Sequence, residues 1–239
     1  RQILAYLQSN NFILKKYLFL FFISLILSCS SDKEKMNVNV TIYGFKKGNI
    51  YLQKIKDSVL INVDSTFIEN KRPIVLRYEL NSPEIFYINM DISKNDNRIE
   101  FFGEKGEINI TTSLKKFNSE FKVSGSLNDS IYRNYLNVIQ KFNYNRLDLI
   151  KLSFNMSQRK ELDSIELIEK KIENLNKRQY LYSLNYAVSH GNSSVAPFIA
   201  LNDFSQSSKV LLDTIKNSLT KEVLESKYGK MLDEHLKSK

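Results

Sequence analysis

Few side chains in this chain are of the kinds that carry chemistry, and their spacing decides most of what they can do. There is one cysteine, Cys29, and there are two histidines, His190 and His235. The histidines lie far apart, and neither stands in an H-E-x-x-H pattern or beside a cysteine pair, so no metal site is assigned. His190 directly precedes Gly191, a pattern that fits a helix C-terminus, where a cation is favoured by the dipole. No G-x-S-x-G turn is present to raise a nucleophilic serine. The segment Gly103–Gly106 (GEKG) lacks the spacing of a phosphate loop and reads as a hairpin turn. Carboxylates are plentiful, but a glycosidase pair is defined by distance in space, which spacing in sequence does not give. No catalytic and no cofactor-binding residue is therefore assigned, and the expectation is a protein that is not an enzyme.

Cys29 is the exception, because of what precedes it. Lys15 and Lys16 are followed by the apolar run Tyr17–Leu27 (YLFLFFISLIL) and then by Ser28. A basic start, a short apolar stretch and a small residue at the cut are the parts of a secretory signal. The run is shorter than the ~20 residues that a membrane-spanning helix needs. Ile26-Leu27-Ser28-Cys29 resembles a lipobox, in which the cysteine sulfur receives a diacylglycerol and the new amine is usually acylated after cleavage. One acyl chain binds a bilayer only marginally, with a partition constant of about 10⁴ M⁻¹, whereas two or more anchor stably. Residues 1–28 are thus expected to be a signal peptide, Cys29 the lipid attachment site, and residues 29–35 a lipidated tether. Ser30, where an aspartate would favour retention at the inner membrane, points to an outer-membrane lipoprotein of a Gram-negative envelope, facing the periplasm or the surface. The stretch Ser30–Lys35 (SSDKEK) also loosely resembles acidic surface-export signals. No Met occurs before Met36, so residues 1–14 are expected to be an upstream extension of the reading frame or a fragment edge. On the same ground a C-terminus short of the full protein stands as one of two alternatives, the other being a chain that ends at Lys239.

Composition narrows the partners. Removing Arg1, Lys15 and Lys16 from a net charge of +9 leaves +6 for the exported part. That surplus is mixed with Asp and Glu along the chain instead of forming one basic face with aromatics placed for stacking, so no nucleic-acid partner is expected. A chain of 239 residues with 42% hydrophobic residues, 7 Gly and 3 Pro can bury a substantial core and is not linker-rich.

The elements that must position these residues fall into two halves. Val38, Val40 and Ile42 alternate with Asn37, Asn39 and Thr41, the period of a half-buried strand. Similar runs follow at Asn49–Ile55, Val59–Phe67, Pro73–Leu80, Ile85–Ile92, Arg98–Phe102, Glu107–Thr112 and Phe121–Ser124. Turn signals such as Asn81-Ser82-Pro83 and Asn95-Asp96-Asn97 separate them. Residues 36–125 are expected to form an antiparallel β-sandwich or a partly closed barrel. Residues 126–239 read as helical, which makes the chain α+β. Asn128 or Asp129 is expected to cap a helix running to about Phe142. Ser157 is expected to cap a second through Ser189, roughly 48 Å long at 1.5 Å per residue. Its apolar stripe is Leu162, Ile165, Ile168, Ile172, Leu175 and Tyr182, widened by Tyr180 and Tyr186, which read first as packing residues and second as a ligand groove. Further helices are expected over 194–204, 209–219 and 221–236.

The order of these features resembles that of domain of unknown function 4369, the N-terminal domain of thioredoxin-like or alkyl-hydroperoxide-reductase-like lipoproteins. The residues that carry it are Asp64-Ser65-Thr66, the hairpin Phe101-Phe102-Gly103-Glu104-Lys105-Gly106-Glu107-Ile108, and Val123-Ser124-Gly125-Ser126. The stretch His190–Phe204 (HGNSSVAPFIALNDF) resembles the family's later helical segment, without the proline that usually follows Asn192. The resemblance spans roughly Met36 to Tyr228. Full-length members continue into a thioredoxin fold with a C-x-x-C pair, but this chain has no second cysteine, and a lipidated Cys29 is a thioether without redox chemistry. The resemblance therefore implies a non-catalytic accessory or interaction domain that sits beside a protein partner or redox module. Two alternatives stand beside it. One is the N-terminal fragment of a membrane-anchored thiol–disulfide oxidoreductase whose thioredoxin domain is missing. The other is a glycan- or peptide-binding surface lipoprotein.

Overall fold

The computed structural model describes residues 35–69, 73–91 and 97–239. The expected signal peptide, Cys29 and all of the expected tether except Lys35 lie outside the described residues. Eight strands come first: β1 (Lys35–Tyr43), β2 (Lys47–Lys56), β3 (Val59–Glu69), β4 (Ile74–Glu79), β5 (Glu84–Met90), β6 (Ile99–Gly103), β7 (Gly106–Ser113) and β8 (Phe121–Ser124). They form two four-stranded sheets, ordered β4-β1-β7-β8 and β3-β2-β5-β6. The sheets stack as a sandwich and do not close into a barrel. Every pairing is antiparallel except β1 with β7, which is parallel. A parallel pair needs a long crossover, and here the crossover takes in β4 and the whole second sheet.

The alternation expected around Val38, Val40 and Ile42 is present, and all three are buried between the sheets. Ile50, Leu52, Leu76, Phe86, Ile88, Phe101, Ile108 and Ile110 complete that core. The second sheet is buried on its other face too. Because neighbouring side chains in a strand point to opposite faces, Phe101 enters the sandwich while Phe102 joins a second core with the helices.

The helices are α1 (Leu127–Gln158), α2 (Leu162–Ser189), α3 (Val195–Asp203), α4 (Lys209–Ser218), α5 (Lys221–Glu225) and α6 (Lys227–Lys237). Three boundaries differ from the sequence expectation. The cap of α1 is Ser126, whose Oγ accepts from the Asp129 amide at 2.9 Å. That helix does not stop near Phe142 but runs on to Gln158, so Ser157 lies in its last turn and the break falls at 159–161. The segment expected as one helix over 221–236 is split at Ser226, whose hydroxyl accepts from Gly229 N and starts α6.

Most of the residues that prompted the family resemblance join the two halves, and Asp64 joins the two sheets. Gly125, at φ +93, turns the chain from β8 into α1; a side chain there would collide with the Glu107 carbonyl oxygen. Glu104 accepts from the amides of Leu127 (2.6 Å) and Asn128 (3.1 Å), a carboxylate at a helix N-terminus where the dipole favours it. Asn128 Oδ1 in turn accepts from Ser193 Oγ (2.7 Å) and Ser194 N (3.1 Å), tying the start of α1 to the start of α3. Asp64 accepts from Arg77 N at 2.7 Å, linking β3 to β4.

Candidate functional site

Where the helices lean over the outer face of β5 and β6, they leave a cleft of about 1200 Å³. Its floor is Ile85 and Tyr87 from β5 and Glu100 from β6. Tyr132 and Tyr135 come from α1, Tyr180 and Ser183 from α2, Phe198 and Asp203 from α3, and Tyr228 and Met231 from α6. The turn between β2 and β3 forms part of the rim. Asp57 and Ser58 both have positive φ there, the twist that a two-residue hairpin requires.

Two carboxylates in the cleft are held by phenols. Tyr132 donates to Glu100 Oε1 at 3.0 Å. Tyr135 donates to Asp203 Oδ2, and its oxygen also lies 2.6 Å from Ser183 Oγ. Burial, and after it the Glu100 charge, pushes Tyr87 up to about 12. Burial followed by the neighbouring carboxylate pushes Tyr132 up further, and burial followed by the Asp203 hydrogen bond does the same to Tyr135. At neutral pH these phenols stay protonated, Tyr132 as donor to Glu100 and Tyr135 as donor to Asp203. Tyr228 closes one end. Its oxygen accepts from Ile85 N at 3.0 Å, and its ring packs edge-on to Phe102 with centroids 6.0 Å apart.

Cations flank this floor. Glu84 is shared by Lys54 (2.6 Å) and Lys227. Burial pulls the Lys54 ammonium down, but the hydrogen bonds and charges of Glu84 and Tyr78 together outweigh it and hold the ammonium above its ordinary value. Opposite, Arg146 donates to Asn176 Oδ1 at 2.9 Å and to Gln179.

The structure brings few of the residues singled out from sequence into this cleft. His190 caps α2, its Nδ1 2.8 Å from Tyr186 O and its ring stacked on Tyr186 at 4.0 Å. His235 Nε2 lies 2.9 Å from Ser205 O. The Gly103–Gly106 segment is the β6–β7 turn. Of the three tyrosines on α2, Tyr180 lines the cleft, while Tyr182 and Tyr186 pack on Tyr135. Among the described residues no group of His, Cys, Asp or Glu is placed to hold a metal ion, and no helix is long and apolar enough to cross a membrane. The cleft residues that sequence reasoning missed are Glu100, Tyr132, Tyr135, Asp203, Lys54 and Lys227. The available signals were weak: Glu100 alternates with buried Ile99 and Phe101, and Tyr132 and Tyr135 are three apart on one helix face.

Residues 36–132 match the family described as Domain of unknown function (DUF4369). No curated protein and no solved structure matches the chain. The matched segment starts in β1 and ends at Tyr132, the first α1 residue to reach across to the Glu100 side chain. The sandwich together with the opening turns of α1 is a DUF4369 domain.

Proposed function

We propose that this protein is an outer-membrane lipoprotein, tethered through Cys29, whose exported part is a non-catalytic accessory module that holds a ligand or partner in the cleft between sheet and helices. The observation that carries this reading is the cleft itself. It is large enough to enclose a ligand and is lined by seven aromatic side chains, with convergent polar groups set in place by their neighbours. Phenols and carboxylates that hold one another in this way are arranged for recognition, because a ligand meets groups already oriented. The lipid end of the reading rests on the sequence around Cys29 alone.

Two measurements test it. Labelled fatty acid should enter the wild-type protein in cells and fail to enter Cys29→Ser, which should also leave the outer-membrane fraction. A photo-crosslinking amino acid in place of Tyr180 should give a defined adduct in the envelope that the same group in place of Lys122, exposed on β8, does not give. Equal adducts from both positions, or thiol-dependent insulin reduction by the full chain, would overturn the reading.

A further inference from the structure

We infer that the cleft takes a neutral oligosaccharide, an inference that rests on the reading of the cleft as a binding site. Four cationic and three acidic side chains line it, so its field is nearly balanced and does not select a polyanion or a polycation. Two carboxylates, Glu100 on the floor and Asp203 on α3, supply acceptors in the cleft. Glu100 is hydrogen-bonded by both Tyr132 and Tyr87, and Asp203 receives the Tyr135 hydroxyl, while a carboxylate has about four lone-pair sites. The remaining sites call for hydroxyl donors, whose bonds to a carboxylate are short and charge-assisted. At the wall Tyr180 is 41% exposed, with its ring held edge-on against Phe204 at 4.9 Å. It offers a fixed apolar face to the C–H side of a sugar ring, and the half-buried Tyr87 lies on the floor.

A peptide is disfavoured by the backbone geometry. Strand addition requires a free sheet edge. The edge strand beside the cleft, β6, is already closed, because the Phe102 amide donates to Asp129 Oδ1 at 2.9 Å and Arg133 donates to the Glu100 carbonyl. A helical peptide would need apolar slots at helical spacing, whereas two carboxylates occupy the cleft. The volume of about 1200 Å³ exceeds the usual range for single small ligands, roughly 300–1,000 Å³, and suits several linked sugar units.

The chain has no tryptophan, so Tyr180→Trp places one fluorophore on the cleft wall. The full chain carrying it, purified in detergent, is titrated with cellohexaose, xylohexaose, mannohexaose, maltohexaose and chitohexaose, and separately with a pool of random decapeptides. The expected result is a saturable fluorescence change with at least one hexasaccharide. Asp203→Asn, at an exposed position where folding is not at risk, should weaken that binding about tenfold, as should Glu100→Gln. Binding that neither substitution weakens places the sugar elsewhere and overturns the inference. A response to the peptide pool alone overturns the sugar and leaves the binding module standing. No response to either probe overturns both.

Discussion

At the scale of single residues, the side chain with most at stake is Glu84. Only 6% of it is exposed, and it sits between Lys54 and Lys227 at the mouth of the sandwich. Removing a partner from a buried ion pair leaves charge without compensation, which costs more than the pair contributes. Glu84→Ala should destabilise the fold by about 3 kcal/mol in urea unfolding, and adding Lys227→Met should restore part of the loss. The phenols set the behaviour in base. Tyr87 and Tyr186 are pushed up to about 12, chiefly by burial, and Tyr132, Tyr135 and Tyr228 are raised further. A phenol whose pKa is higher folded than unfolded contributes stability that is complete below about pH 10, the unfolded value. That contribution is lost as pH rises through the folded value. Phenolate absorbance should therefore appear in two stages, the exposed tyrosines first and the buried ones only with cooperative unfolding.

At the scale of elements, strands such as β1 are legible by their period of two, whereas β5 and β6, buried on both faces, are legible as short apolar runs between turn signals. The end of α1 is not. Beyond Phe142 its apolar residues Tyr144, Leu147, Ile150 and Phe154 are exposed, so the stripe faces solvent and gives no core pattern to follow. The break after it is also unmarked, since Lys160 takes φ +59 where Gly or Asn would be the usual signal. A lysine in that region is strained by about 1–2 kcal/mol, partly offset by the freedom glycine adds to the unfolded chain. Lys160→Gly should accordingly raise stability by about 0.5 kcal/mol, seen as a higher Tm. The cleft was illegible for a different reason: its residues come from β2, β5, β6 and four helices, and only tertiary packing sets them side by side. Tyr180 reads from sequence as a packing or groove residue, and nothing in the spacing joins it to Glu100 or Asp203.

At the scale of the whole molecule, order is unevenly shared. The fully buried residues of α1 are Asp129, Tyr132 and Tyr135, all in its first three turns, whereas α3 buries Val195, Ala196, Pro197, Ile199 and Ala200 in nine residues. The far part of the α1–α2 hairpin is held mainly by its own two helices, with Ile168 and Leu175 buried on α2. Hydrogen exchange should show amides 144–170 opening at lower free energy than those of β5, β6 and α3. Equal protection throughout would mean that the hairpin is braced along its whole length.

The contacts of Asp129 and Arg133 with β6 also bear on what becomes of this chain before it is folded. A bare β6 would expose amide and carbonyl groups beside two phenylalanines, a ready template for another molecule's strand. The shield against that lies in the first two turns of α1, which leave the ribosome after the strand they cover. Until those turns wind, the sandwich is open to intermolecular pairing. A chain cut just after β8 should aggregate, while one that keeps the opening of α1 carries its own protection against strand pairing.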